Sequence, residues 1–188
     1  MPSLILASRS PQRRAILEQL GVAFSVLVPD VEELSEGEPE AVAVENARRK
    51  AAAVAARVPE ATVLGVDTVV AVGDRIYGKP GDAAHARATL KALSGRTHTV
   101  ISGVCVIESE RVQTAAARTA VEFRTLDEQL LTWYLAEGEW RERAGGYAIQ
   151  GRGAALITRI DGDYLNVVGL PVATLLELSP QLVGSEGA

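Results

Sequence analysis

The stretch VLGVDTVVAV, residues 63–72, constrains the fold more than any other part of the chain. It is rich in β-branched residues and far too short for a membrane-spanning helix, so it predicts a strand of a packed sheet, part of a β-rich run from Ala61 to Val72. Gly73-Asp74 follows as a two-residue turn, and Arg75 to Tyr77 then predicts the return strand of a hairpin. One residue breaks the apolar pattern. A lone carboxylate at Asp67 is costly inside such a strand unless it is ion-paired, hydrogen-bonded or bound to a metal. With Val72 opposite Arg75, the simplest register sets Thr68 opposite Lys79 and Asp67 opposite Pro80. A direct Asp67–Lys79 contact then requires the chain to leave the strand at Gly78, which the Gly-Lys-Pro sequence permits. Catalysis and a purely structural ion pair both remain open for these two residues.

A second feature lies at the N-terminus. The apolar run Leu4-Ile5-Leu6 reads as a buried strand and leads into LASRSPQRR, residues 6–14. Ser10 suits the N-cap of a helix, Pro11 its first position, and Gly21 its end, with Ile16, Leu17 and Leu20 on one face. The first turn, however, carries Arg13 and Arg14 where the helix dipole favours acids. Two readings fit equally: a phosphate cradle made of serines, free N–H groups and an arginine, or a solvated arginine pair without a ligand.

Further along, Phe24 to Val28 predicts a strand and the acidic loop DVEELSEGEPE holds Glu32 and Glu33. A helix is expected from about Pro39 to Arg57, with Arg48, Arg49 and Lys50 on successive positions that cannot all share a face. Helices are also expected over Asp82–Leu93, Leu126–Glu137 and Val172–Leu178, and antiparallel strands over Val100–Ile107 and Gln113–Phe123. Early alternation of strands and helices with later hairpins predicts an α/β fold around a mixed sheet flanked by helices. Residues 1–182 are expected to form a single domain and 183–188 a flexible tail. At 188 residues, nearly half of them hydrophobic, the chain can bury a core without staples.

Composition narrows the function. A net charge of −5 argues against binding to nucleic acid polymers, which calls for surplus cations. The single cysteine, Cys105, lies in an apolar strand and reads as a buried structural thiol, which excludes disulfide frameworks and cysteine zinc sites. No segment reads as a signal or a membrane span, so a cytoplasmic protein with no membrane partner is expected. Arg96 and His98 are expected to line a loop; His98 is a poor zinc candidate, since the other histidine, His85, falls in a helical segment. There is no Gly-x-Ser-x-Gly elbow and no Walker pattern. What remains is hard-cation chemistry: Glu33 and Asp67 offer oxygen ligands for Mg²⁺ or Mn²⁺, and Ser8, Arg13, Lys50 and Lys79 offer donors to phosphate oxygens. Together these groups describe hydrolysis of a polyphosphate. In GYAIQGRG, residues 146–153, Gln150 carries the donor and acceptor that complement a uracil or thymine edge; on spacing alone, a side chain capping its own glycine bend fits better.

LASRSPQRRAILEQLG, GVDTVV followed by GKP, LSGRTHTVISGV, GGYAIQGRGA and GDYLNVVGLP, in this order, resemble the Maf family of nucleoside triphosphate pyrophosphatases over nearly the whole chain. The GYxIQG form is similar to the branch acting on dTTP and UTP. The resemblance implies a two-lobed Maf/inosine triphosphatase-like fold with a nucleotide cleft, a divalent metal cofactor, a homodimer, and cleavage of a nucleoside triphosphate to the monophosphate and pyrophosphate. It implies Asp67 as the proton acceptor that activates water and Lys79 beside it, Ser8, Arg13, Lys50 and Lys79 as phosphate binders, and Glu33 as an acid near the metal. Gln12, Thr68 and Gln150 match positions linked to substrate choice. Gln12 is a departure, since many members carry arginine there. The family's association with arrest of septum formation implies one alternative, a regulator that binds a nucleotide without turning it over.

Overall fold

The computed structural model describes residues 4–183; of the tail expected at 183–188, residues 184–188 lie outside it. The strands are β1 (Leu4–Ala7), β2 (Phe24–Val26), β3 (Thr62–Val72), β4 (Arg75–Tyr77), β5 (Thr97–Glu108), β6 (Arg111–Phe123) and β7 (Ile157–Asp161). The helices are α1 (Pro11–Gln19), α2 (Pro39–Ala55), α3 (Ala83–Leu93), α4 (Glu128–Ala136), α5 (Tyr164–Val168) and α6 (Val172–Leu178). One mixed sheet runs β2-β1-β3-β5-β6-β7, with β4 attached to β3. β1 lies parallel to β2 and β3, and the remaining pairs are antiparallel.

Each face of the sheet buries its own helix set. Leu64, Val66, Val104 and Val106 pack with Ile16 and Leu17 of α1 and Leu175 of α6. On the other face, Val63, Cys105 and Ile107 meet Ala47, Ala51 and Val54 of α2. Cys105 is the buried thiol that its apolar strand predicted, its pKa pushed up to about 11 by burial. A third group, centred on α3, α4, Phe123, Trp140 and Tyr147, covers the far end of β3 and β5 and forms the opposite lobe.

Two details place the site. The first is a break in the sheet: β3 is bonded to β1 over Thr62–Gly65 and to β4 over Val70–Val72, so Val66–Val69 has no neighbour on that side. Side chains from both faces of β3 therefore reach one opening. The second is how closely α2 approaches. A methyl group added at Gly65 would lie 2.2 Å from the Ala47 carbonyl oxygen, and one at Gly103 2.3 Å from that of Ala43. Gly65 and Asp67 share a face by alternation, and Gly103 lies opposite Asp67. Only bare glycine lets the helix sit low enough for its side chains to touch Asp67. Gly103→Ala should therefore force α2 away from the sheet, lowering stability by about 1–3 kcal/mol and lowering activity with it; a denaturant midpoint and a turnover measurement on the same preparation check both effects.

Candidate active site

Ser8, Gln12, Arg13, Glu33, Lys50, Asp67, Thr68, Lys79 and Gln150 all line one cleft of about 890 Å³ between the two lobes. That volume lies within the usual range for small-molecule sites, about 300–1,000 Å³. The remaining question is which of these groups meet.

Asp67 sits at the floor, 6% exposed. Its Oδ1 accepts from Lys50 Nζ at 2.6 Å and its Oδ2 from Asn46 Nδ2 at 3.0 Å. Lys50 also pairs with Glu33 Oε1 at 2.8 Å, so one buried ammonium joins both acids. Asn46 completes the arrangement: it exchanges hydrogen bonds with the Leu34 backbone at 2.7 and 2.9 Å, holding the acidic loop beside Glu33 against α2. Asn46 and Lys50 are one helical turn apart and so share a face, a signal present in the sequence. The hairpin register Val72–Arg75 is as expected, and the chain does leave β4 after Tyr77. Lys79 nevertheless does not turn toward Asp67. It stands on the cleft rim, 55% exposed at its side chain, and pairs with Glu142 at 3.5 Å. The strand partner of Thr68 is Ser102, not Lys79.

The N-terminal wall is built on Arg13. Ser10 caps α1, its Oγ accepting from the Arg13 N–H at 3.4 Å, and Pro11 opens the helix. The Arg13 guanidinium is buried and donates from Nε to the Gly169 carbonyl at 2.8 Å, from Nη1 to Ser8 Oγ at 3.1 Å and from Nη2 to Thr68 Oγ1 at 3.1 Å. Burial lowers its pKa, an effect opposed by the charges of Asp67 and Glu33. A second N–H on each terminal nitrogen remains available. Ser8 Oγ also accepts from the Ser10 N–H at 3.1 Å, which frees its own proton to donate into the cleft. Thr68 Oγ1 shares a proton with the fully buried Ser102 Oγ at 2.8 Å. Arg14 plays no part in this wall; it is exposed and pairs with Glu18 at 2.8 Å.

The opposite wall carries Gln150 in an exposed turn. Glu139, which the sequence did not single out, fixes that turn by accepting from the Arg152 and Gly153 N–H groups at 2.9 Å each. His98 departs from the loop expected for it. It lies in β5, 1% exposed, with Nε2 bonded to the Tyr147 hydroxyl at 2.8 Å, so it braces the lobe from inside and does not face the cleft. Burial lowers its pKa from 6.5 to about 4. The unfolded chain therefore takes up a proton that the folded one refuses as pH falls from 6.5 toward 4, and stability present above that window is lost within it. His98→Gln should remove this part of the pH dependence, read as the difference in urea midpoint between pH 7 and pH 4.5 for the two proteins.

Among the described residues no group of three His, Cys, Asp or Glu side chains is placed to hold a metal. Glu33 and Asp67 do converge on a single ammonium, and two carboxylates completed by substrate phosphate oxygens is a donor set that Mg²⁺ accepts. No helix among the described residues is long and apolar enough to cross a membrane.

A serine-rich strand-to-helix turn, a buried arginine and two carboxylates bridged by one lysine line a single cleft of an α/β protein. The chain belongs to the Maf-like protein family, whose model matches residues 3–182. It is 48% identical to the dTTP/UTP pyrophosphatase of Deinococcus radiodurans over 94% of this chain and 91% of that protein. It is 42% identical to the dTTP/UTP pyrophosphatase of Pyrococcus furiosus, over 95% and 94% of the two chains. The dTTP/UTP pyrophosphatase of Symbiobacterium thermophilum is 44% identical over 96% and 94%.

Proposed function

We propose that this protein hydrolyses dTTP and UTP to the nucleoside monophosphate and pyrophosphate, residues 1–182 acting as one catalytic unit on free nucleotides in the cytoplasm, as a homodimer. The observation that carries the reading is the convergence of Asp67, Ser8, Arg13 and Gln150 on one cleft. Water attacks the α-phosphorus, the bond to the bridging oxygen of the β-phosphate breaks, and pyrophosphate departs. Asp67 takes the proton from the attacking water. Ser8 and the free N–H groups of Arg13 hold phosphate oxygens, and Arg13 meets charge that develops on the departing group. Thr68 and Gln150 face the nucleoside, Gln150 offering both donor and acceptor to a pyrimidine edge. Glu33 and Asp67 would hold a divalent cation, Mg²⁺ or Mn²⁺, which when bound neutralises phosphate charge and polarises the α-phosphate.

The test is a release assay with purified protein and Mg²⁺ or Mn²⁺, separating pyrophosphate from phosphate across dTTP, UTP, CTP, GTP and methylated GTP. Monophosphate and pyrophosphate from dTTP and UTP is the expected result. Preference for methylated GTP would overturn the base assignment to Gln150 while leaving the reaction. Binding without turnover of any nucleotide would leave a non-catalytic binding module in its place.

A further inference from the structure

The cleft's cations are not equally free to meet phosphate. Lys50 is enclosed by Glu33 and Asp67. Arg13 is held by three neutral acceptors. Lys79 shares its charge with Glu142, and Arg141 is folded over the Trp140 ring at 4.7 Å. Arg9, exposed beside Ser8, has no ion pair or side-chain hydrogen bond among the described residues, and Arg143 shares that freedom from the more buried position. It is half-buried on the cleft wall, and among the described residues its guanidinium has no ion pair and no hydrogen bond. Glu139, an acid on the same wall, has committed both oxygens to the backbone at Arg152 and Gly153.

The backbone around Arg143 is built to keep it there. The Gly145 N–H donates to the Gly78 carbonyl at 3.1 Å, which sets this segment beside Lys79. Gly145 and Gly146 both adopt positive φ, and a methyl group on either would press on Val70 or on Pro80 at about 3.0–3.1 Å. Glu142 is a non-glycine residue at φ 59°, a costly conformation of the kind that persists where surrounding structure imposes it. A half-buried guanidinium without an anion is itself costly, so an unpaired one on a nucleotide cleft calls for an anionic ligand.

We propose that Arg143 grips the β,γ-phosphates, the part of the substrate that leaves as pyrophosphate, from the wall opposite Ser8 and Arg13, and supplies a charge that neutral Gln12 does not. The inference rests on the triphosphate reading of the cleft.

The experiment compares wild type with Arg143→Gln and Arg143→Lys, using dTTP turnover, calorimetric binding of inorganic pyrophosphate, and binding of dTMP. Arg143→Gln should raise KM for dTTP and weaken pyrophosphate binding in parallel by about 10- to 100-fold, leave dTMP binding unchanged, and recover in part with lysine. Gln12→Arg added to Arg143→Gln should restore part of the affinity, because it returns a cation to the same cleft. Arg14→Gln, on the exposed face of α1, is the control and should change nothing. Unchanged KM and pyrophosphate affinity in Arg143→Gln would overturn the proposal, as would an equal loss of dTMP binding, which would mark a structural role. If wild type fails to split dTTP or UTP, the catalytic reading falls alone; loss of pyrophosphate binding in Arg143→Gln would still support the assignment of Arg143.

Discussion

Asp67→Asn is expected to lower the rate of pyrophosphate release by about 10²–10⁴-fold, the usual contribution of a positioned general base, with the fold and nucleotide binding retained. Asp67 lies where β3 lacks a neighbour between β1 and β4, so it is buried by α2 from one side and open to the cleft from the other. Asparagine preserves the shape and an oxygen for Lys50, gives up the acceptor for Asn46 Nδ2, and cannot take a proton from water. Circular dichroism and calorimetric binding of dTTP separate loss of chemistry from loss of structure. Full turnover in this variant would remove Asp67 from its role.

Much of the fold was legible because its signals are local. Ser10-Pro11 started α1, Gly73-Asp74 closed the β3–β4 hairpin in the expected register, and Pro39 opened α2. Ends shifted by a few residues: α2 stops at Ala55 and α4 spans Glu128–Ala136, as fraying and capping decide termini. His98 was misplaced because Gly95 and Arg96 read as a continuing loop, whereas β5 already begins at Thr97 to pair with Glu122. The expected site residues line one cleft, but Lys79 does not reach Asp67, and the contacts that do form depend on distant pairing that the local pattern does not encode. The hairpin placed Lys79 near Asp67 in sequence, but the cation that reaches Asp67 comes from α2, across a sheet face made flat by Gly65 and Gly103. Ser102 became the partner of Thr68 through β5, and Glu139 reached the Gln150 turn across a loop. Only the i,i+4 spacing of Asn46 and Lys50 was there to be read.

Lys50→Met tests whether that cross-layer contact holds the site together. Methionine keeps most of the side-chain volume and removes the charge, so Asp67 is left buried with Asn46 as its remaining partner. Breaking a buried pair from one side costs about 3–5 kcal/mol. Glu33 is about half exposed and can turn to water, which favours the lower end of that range. Turnover should fall as well, because Asp67 and the Glu33 loop lose the group that sets their separation. A denaturant midpoint alone would not tell a charge effect from a packing defect, so the double variant Lys50→Met with Asp67→Asn decides between them. With both charges gone the penalty of an uncompensated carboxylate disappears, and the double variant should be more stable than Lys50→Met alone. If it is less stable, α2 is held to β3 by apolar packing over the two glycines, and the Lys50 ammonium serves the acids without holding the layers together.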